Sequence, residues 1–312
     1  MRRVGVALVG FGGAGHQHVE ALAQVDGTEL RGILERDSAT GTPKHAARYL
    51  SWDQLLRDAS VQLVSLCTAL GTRADMARQA LEAGKAVLME GVPTASTAEL
   101  DQLVKLSERT GHPAGVMFPH RFGLPQEVLD WSWQSSATAV LEISRYRPPK
   151  RFQKLAWRRG PAQAMDSITT PLGVQYLDLV CQLLGEPAEV KLAGVREQPG
   201  GTATRVAGVV RFAAGGVLSF AVTSESAARI ERLTVLDVDQ SMLIDDGRLA
   251  IDGGTGLSDR RTMHASELRA EVYRDLAEAI TAGRSPRRCH LVGARAVTMI
   301  LESMQQQLEA AG

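Results

Sequence analysis

Residues 4–15 read Val-Gly-Val-Ala-Leu-Val-Gly-Phe-Gly-Gly-Ala-Gly, and this stretch decides the fold. Residues 4–9 form a short apolar run without charge. The run breaks at Gly10-Phe11-Gly12-Gly13-Ala14-Gly15, a G-x-G-x-x-G arrangement, and residues 14–25 go on with helical spacing. Strand, glycine turn and helix in that order make a cradle for a pyrophosphate. Gly10 permits the tight turn, Gly12 lets a phosphate approach the backbone, and Gly15 lets helix and strand pack closely. Phe11, Gly13 and Ala14 complete the cradle, and the helix N-terminus adds N–H donors and partial positive charge. Glu35 follows a second short predicted strand, residues 29–34, at the distance where a carboxylate meets the ribose hydroxyls of NAD(H). Arg36 follows at once and can pair with a 2′-phosphate, so NADP(H) stays open.

Outward from this turn, strand and helix patterns alternate through residue 118. Residues 61–67 and 86–89 are buried strand runs, residues 72–83 and 96–110 have helical period, and residues 113–118 form another strand. Apolar strands separated by helices predict a parallel sheet covered on both faces, a doubly wound Rossmann fold. The texture changes after Phe122. Residues 137–146 alternate like a strand with one wet face. A helix over 172–184 ends at Gly185-Glu186-Pro187. Extended segments follow at 189–196, 204–212, 216–223 and 229–236, which predict an open, mostly antiparallel sheet. Helices at 266–282 and 291–310 close the chain. The expected class is α/β, with a dinucleotide-binding domain over 1–121 and a substrate or oligomerisation domain over 122–312.

The 312 residues are 44% apolar and 22% charged, enough to build a core without metal or disulfide staples. Basic and acidic residues number 35 each. That neutral balance argues against nucleic acid as a partner. No run of 18 apolar residues predicts a membrane span. Cys67, Cys181 and Cys289 are odd in number and far apart, which suits a reducing, cytoplasmic setting. His16 and His18 open the first helix without metal-ligand spacing around them, so no metal is expected.

With these residues in hand, the chain resembles the Gfo/Idh/MocA oxidoreductases. The likeness rests on GVALVGFGGAGHQHVEAL at the start, ILERD at the second strand, and VQLVSLCT…ARQALEAGKAVLMEGV over 61–92. In the second half it rests on GVQYLDLVCQLLGEP over 173–187 and on YRDLAEAI…GRSP over 273–286. The resemblance implies a Rossmann domain followed by an α/β domain whose open sheet joins subunits, and hence a homo-oligomer. It also implies that Thr68, Ala69 and Glu90 border the cofactor. The departures are concentrated at the chemistry. The family's Glu-Lys-Pro is Glu90-Gly91-Val92-Pro93 here, so the lysine is missing. The family's Asp and His around Gly173 are Pro171 and Gln175, although Asp178 remains. The family's Thr-Pro is Thr68-Ala69.

Other residues must then supply the proton if hydride chemistry persists. His120 follows the last Rossmann strand, on the side where ligands meet such sheets, and is the leading general acid. Tyr176 and Asp178 are further catalytic candidates, with Asp166 and His112 behind them. Arg121, Trp157, Arg158 and Gln175 are expected at the substrate. Residues 145–165 hold seven Lys or Arg and no Asp or Glu, a field suited to an anionic or carrier-bound small molecule. The expected function is a biosynthetic reductase acting on C=O or C=N. A non-redox tailoring role and a dinucleotide-binding regulator without turnover stay open beside it.

Overall fold

The structure is a computed structural model that describes all residues except 1–2, 38–39, 134–135, 149–171, 199–201, 254–257, 263 and 312. The chain folds into two compact units. The first holds Met1–Phe122 together with Ala265–Arg295, and the second holds Gly123–His264 with Ala296–Gly312. The return of Ala265–Arg295 to the first unit differs from a linear division near residue 121.

The first unit is built on a six-stranded parallel sheet. Its strands are β1 (Val4–Val9), β2 (Thr28–Leu34), β3 (Ala47–Arg48), β4 (Leu63–Leu66), β5 (Ala86–Glu90) and β6 (Ala114–Met117), in the spatial order β3-β2-β1-β4-β5-β6. Strand order reverses at β1, so the turn after β1 opens at the switch point where such sheets take ligands. All six residues of β1 are buried, as expected of a strand covered on both faces. One face packs against α1 (Gly13–Leu22) and α7 (Ala265–Ala282), with Leu22, Val272, Tyr273 and Leu276 in the shared core. The other face packs against α2 (Trp52–Arg57), α3 (Leu70–Glu82) and α4 (Thr97–Thr110), through Leu55, Ala77, Leu81, Leu100 and Leu103. Ser51 and Ser96 cap α2 and α4 by accepting the N–H of Gln54 and Glu99.

The second unit holds α5 (Gln126–Asp130), α6 (Val174–Leu184), α8 (Arg295–Ala311, all but its first residue) and an eight-stranded sheet. The strands are β7 (Thr138–Ser144), β8 (Pro187–Gln198), β9 (Thr202–Phe212), β10 (Val217–Thr223), β11 (Ile230–Leu236), β12 (Ser241–Asp245), β13 (Arg248–Asp252) and β14 (Ser258–Thr262), ordered β14-β13-β12-β11-β7-β10-β9-β8. Within this eight-stranded sheet only the β7–β10 pair is parallel among the described strands. β7 alternates exposed and buried residues over most of its length, so one sheet face is core and the other is open. Strands β12–β14 extend the sheet beyond the four predicted segments. The β12–β13 turn uses Asp246 and Gly247, both at positive φ, in the left-handed conformation that tight hairpins need. Gln307 on α8 covers part of the β8 edge. It accepts the Leu192 N–H at 3.0 Å and donates to the Val190 carbonyl at 2.9 Å.

Candidate functional site

The glycine turn has a closed side and an open side. Gly10 sits at φ +89°, and a Cβ there would lie 2.7 Å from the Cys67 carbonyl oxygen. A Cβ on Gly15 would lie 2.5 Å from the Gly10 carbonyl oxygen. Side chains are therefore excluded beneath the turn. Above Gly12 and Gly13 a Cβ meets nothing within 4 Å. α1 begins here with Gly12 as N-cap, with no side-chain cap and no acidic residue in its first turn. Its leading N–H groups and the positive end of its dipole face that open space, as a phosphate requires.

Glu35 stands beside the turn. Its Oε2 accepts the Phe11 N–H at 2.5 Å and its Oε1 accepts the Asp37 N–H at 3.1 Å. A carboxylate offers about four lone-pair positions, so capacity remains for ribose hydroxyls. The loop behind it is tied by Arg48, which donates to the carbonyls of Asp37 and Thr40. Arg36 is exposed. Phe11 stacks on His16 with ring centroids 4.1 Å apart.

Thr68 and Ala69 follow β4 and lead into α3. The Thr68 hydroxyl is buried and has no hydrogen-bond partner among the described residues. Such a group is costly unless a ligand or water satisfies it. Arg73, one turn along α3 and buried, donates to the Thr68 carbonyl at 2.5 Å and also to the Val92 carbonyl. It staples the loop after β4 to the loop after β5, the two loops flanking the position of the absent lysine. Nothing in the glycine motif pointed to Arg73.

Glu90, at the end of β5, lies in a buried hydrogen-bonded chain. Its Oε2 takes His18 Nε2 at 2.8 Å and Arg269 Nη1 at 3.2 Å. His18 Nδ1 meets the Tyr273 hydroxyl at 2.6 Å, and that hydroxyl meets Ser65 Oγ at 2.8 Å. The carboxylate can only accept, so His18 carries a proton on Nε2. Burial alone would raise the Glu90 pKa, but the Arg269 charge and the His18 hydrogen bond outweigh it and hold the carboxyl at about 2. Burial pushes the Tyr273 phenol well above its ordinary value. The sequence reading gave His18 no role beyond opening the first helix without metal partners. The detectable signal was its period: Gly15, Ala21 and Leu22 share its helix face, and that face is core.

His120 lies in the short helical turn Pro119–Gly123 after β6. Burial first, and the Arg269 charge second, lower its pKa to about 4. Near neutral pH its imidazolium is then roughly one part in a thousand, which weakens the expected role of resting acid. Arg121, the expected anion clamp, is 2% exposed. Its Nη1 donates to the Arg288 carbonyl at 2.8 Å, Arg288 Nη1 returns a bond to the Arg121 carbonyl at 2.9 Å, and the guanidinium lies 5.2 Å from the Phe118 ring centroid. Those contacts fasten one segment to another and count against a free clamp.

In the second unit, α6 carries Gln175, Tyr176 and Asp178. Asp178 is fully buried and Tyr176 nearly so, while Gln175 is half-buried. The Tyr176 hydroxyl donates to Glu231 Oε2 at 3.4 Å. Burial, and then the Glu231 charge, raise its pKa, so it is a phenol and no ready acid. Trp157, Arg158 and Asp166, with most of the basic loop, lie outside the described residues. Among the described residues no cluster of three or more His, Cys, Asp or Glu is placed to hold a metal, and no helix is long and apolar enough to cross a membrane.

Comparison with known proteins agrees with this geometry. Residues 4–118 match the Gfo/Idh/MocA family, described as an oxidoreductase family with an NAD-binding Rossmann fold. A 4-carboxy-2-hydroxymuconate-6-semialdehyde dehydrogenase from Sphingobium sp. is 34% identical over 124 residues, which is 38% of this chain and 39% of that protein. The match thus spans well under half the length of that curated relative. Among solved structures, a UDP-N-acetylglucosamine 3-dehydrogenase from Acidithiobacillus ferrooxidans superposes with TM-score 0.81 at 20% identity, covering 99% of both chains. A levoglucosan dehydrogenase in complex with NADH and levoglucosan superposes with TM-score 0.81 at 16% identity, covering 100% of this chain and 98% of that one. At these identities the two structures establish the shared fold.

Proposed function

Residues 4–118 belong to the Gfo/Idh/MocA oxidoreductases with their NAD-binding Rossmann fold, and from that premise we propose that the protein is a nicotinamide-dependent oxidoreductase. Its substrate would be an anionic or carrier-bound small molecule, reacting at a carbon bonded to oxygen or nitrogen. The observation that carries this reading is the turn after β1, closed beneath Gly10 and Gly15 and open above Gly12 and Gly13.

The residues present fit a dinucleotide. The N–H groups at Gly12–Gly15 would hold the pyrophosphate, Glu35 the adenosine ribose, and the buried Thr68 hydroxyl a further polar group of the cofactor. The Glu35 charge favours NAD(H), since a 2′-phosphate would meet a carboxylate. Bound there, the cofactor supplies a hydride donor or acceptor at its nicotinamide ring. The protein must position the substrate and move one proton. With its pKa near 4, His120 is neutral but a weak base near pH 7, in the protonation state that accepts the proton of an alcohol or amine as that group is oxidised. Arg73 holds together the loops at the ends of β4 and β5, and Glu90 is fixed by His18 and Arg269. A biosynthetic role in the reductive direction fits the same residues when the substrate is an imine or an activated ketone.

Calorimetry with NADH and NADPH, with Gly12→Asp as control, tests the reading. Micromolar NADH binding, lost in the control, supports it, and anionic ketones, imines and hydroxy acids are then screened for turnover. Binding without turnover of any of these favours a dinucleotide-dependent regulator. Absence of binding by either nucleotide removes the premise.

We also propose that a second copy covers the open face of the eight-stranded sheet. Val209, Val140 and Leu243 alternate with Ser219 and Thr234 along one row of that face in the strand register, and the three apolar side chains are 36–41% exposed, surface that a second copy would take out of water. Light scattering of Val140→Lys should show a smaller assembly than the unmodified protein.

A further inference from the structure

The end of β5 is met by a cation from the far end of the chain. Arg269, near the start of α7, sets Nη1 at 3.2 Å from Glu90 Oε2 across 179 residues of sequence. Its side chain is 15% exposed, and Glu90 is its hydrogen-bond partner among the described residues. A guanidinium offers five N–H donors in a planar fork, so one bond to Glu90 orients it and leaves donors for a ligand. Its charge also acts on Cys67, Tyr273 and His120. It therefore stands at the same edge of the sheet as the ends of β4, β5 and β6. The neighbouring backbone at Gly91 has φ +62° and open space where a side chain would project, so the loop after β5 brings no cation of its own to that point.

We infer that Arg269 is the substrate-binding cation of this site, holding a carboxylate or comparable oxyanion of the substrate in its free N–H fork. The assignment rests on the nicotinamide-dependent reading above and narrows its substrate to a small molecule with an anionic group close to the reacting carbon, as in hydroxy or oxo acids. An arginine suits that task where a lysine also handles protons in the family pattern. Its charge persists at any working pH and its fork matches two oxygens at once, but it exchanges no proton. Anion holding and proton transfer are thereby divided between Arg269 and His120. Glu90 is the anchor, kept ionised by Arg269 and by His18 behind it. The guanidinium bonds Glu90 from β5, and its charge reaches His120 from the turn after β6, Cys67 from the end of β4 and Tyr273 from its own helix.

The test uses the full chain saturated with NADH and measures binding of oxalate, malonate and inorganic phosphate by calorimetry, for the unmodified protein, Arg269→Lys and Arg269→Met. At least one of these anions should bind the unmodified complex. Arg269→Met should weaken that binding by about 30-fold or more, and Arg269→Lys should retain part of it, because a point charge replaces the fork. NADH affinity should stay within about twofold in both variants. In parallel, the His120 imidazole resonance should titrate at higher pH in Arg269→Met, since a nearby positive charge has gone. Equal anion binding in all three proteins overturns the assignment, as does failure of all three anions to bind a complex that does hold NADH. Failure of the unmodified protein to hold NADH overturns instead the reading on which the assignment rests. Arg269→Lys keeps the pairing with Glu90 and so keeps the test decisive if Arg269→Met does not fold.

Discussion

The ends of β1 and β5 lie on the same edge of one parallel sheet but are assembled in different ways. The turn after β1 is made by six consecutive residues, held from outside by Leu34 and Glu35 at the end of β2 and packed on the Cys67 carbonyl. The cluster at the end of β5 draws Glu90, His18, Ser65, Arg269 and Tyr273 from four elements, across separations of 72 to 255 residues. The first is backbone geometry, in which absent side chains create the site. The second is side-chain chemistry, in which buried polar groups satisfy one another. A local device of that kind tolerates change elsewhere in the chain, whereas the distributed one couples α7 to the sheet.

Gly12→Asp should separate the two most sharply. A side chain there meets open space, so thermal stability should hold, while a carboxylate at the phosphate position should weaken NADH by about 100-fold, near 2.7 kcal/mol. Unchanged NADH affinity would place the cofactor elsewhere. Tyr273→Phe is the counterpart at β5. It strips His18 and Ser65 of a shared buried partner and should cost about 2 kcal/mol of folding stability in denaturant titrations. A neutral result would mean that the chain of hydrogen bonds is dispensable.

Gly10→Ala comes next, with a loss of about 1–2 kcal/mol from the left-handed backbone and the contact with the Cys67 carbonyl. Stability and NADH binding should fall together, unlike in Gly12→Asp.

The acid limb is the remaining expected effect. His120 titrates at about 4 when folded and at 6.5 ordinarily. The unfolded chain therefore binds more protons across that window, and stability falls as pH drops from 6.5 toward 4. Glu90 is held at about 2 against an ordinary 4.5, so its contribution is intact above 4.5 and lost as pH falls toward 2. Melting temperature against pH should show both segments. His120→Gln should flatten the upper one and leave the lower, and Glu90→Gln should do the reverse.

Much of the first unit was legible because its cues are local. The predicted strand over 4–9 is β1, the helix over 96–110 is α4 within a residue, and the strand over 29–34 is β2. Where prediction ran long, capping decided the outcome: α1 stops at Leu22, three residues short, as the chain turns toward β2. The two short helices α2 and α5 and the strands β12–β14 went unread, because five- or six-residue elements carry too little period to stand out. The candidate site divides in the same way. Gly10–Gly15 and Glu35 stand together as the motif implied. Arg121, Tyr176 and Asp178 are chemically suitable side chains that the fold turns inward, and exposure is a property no residue carries alone.

By itself the sequence determined the parallel α/β first half, the open sheet of the second, the glycine turn and the acid beside it, because φ requirements, strand alternation and helix period are written in neighbouring residues. Only the tertiary structure decided that Ala265–Arg295 returns to complete the first unit, that His18 is buried against Tyr273 and Glu90, and that Arg269 pairs with Glu90 at the end of β5. Those outcomes depend on which surfaces pack together, and packing is set by shape and burial summed over the whole chain rather than by any stretch of it.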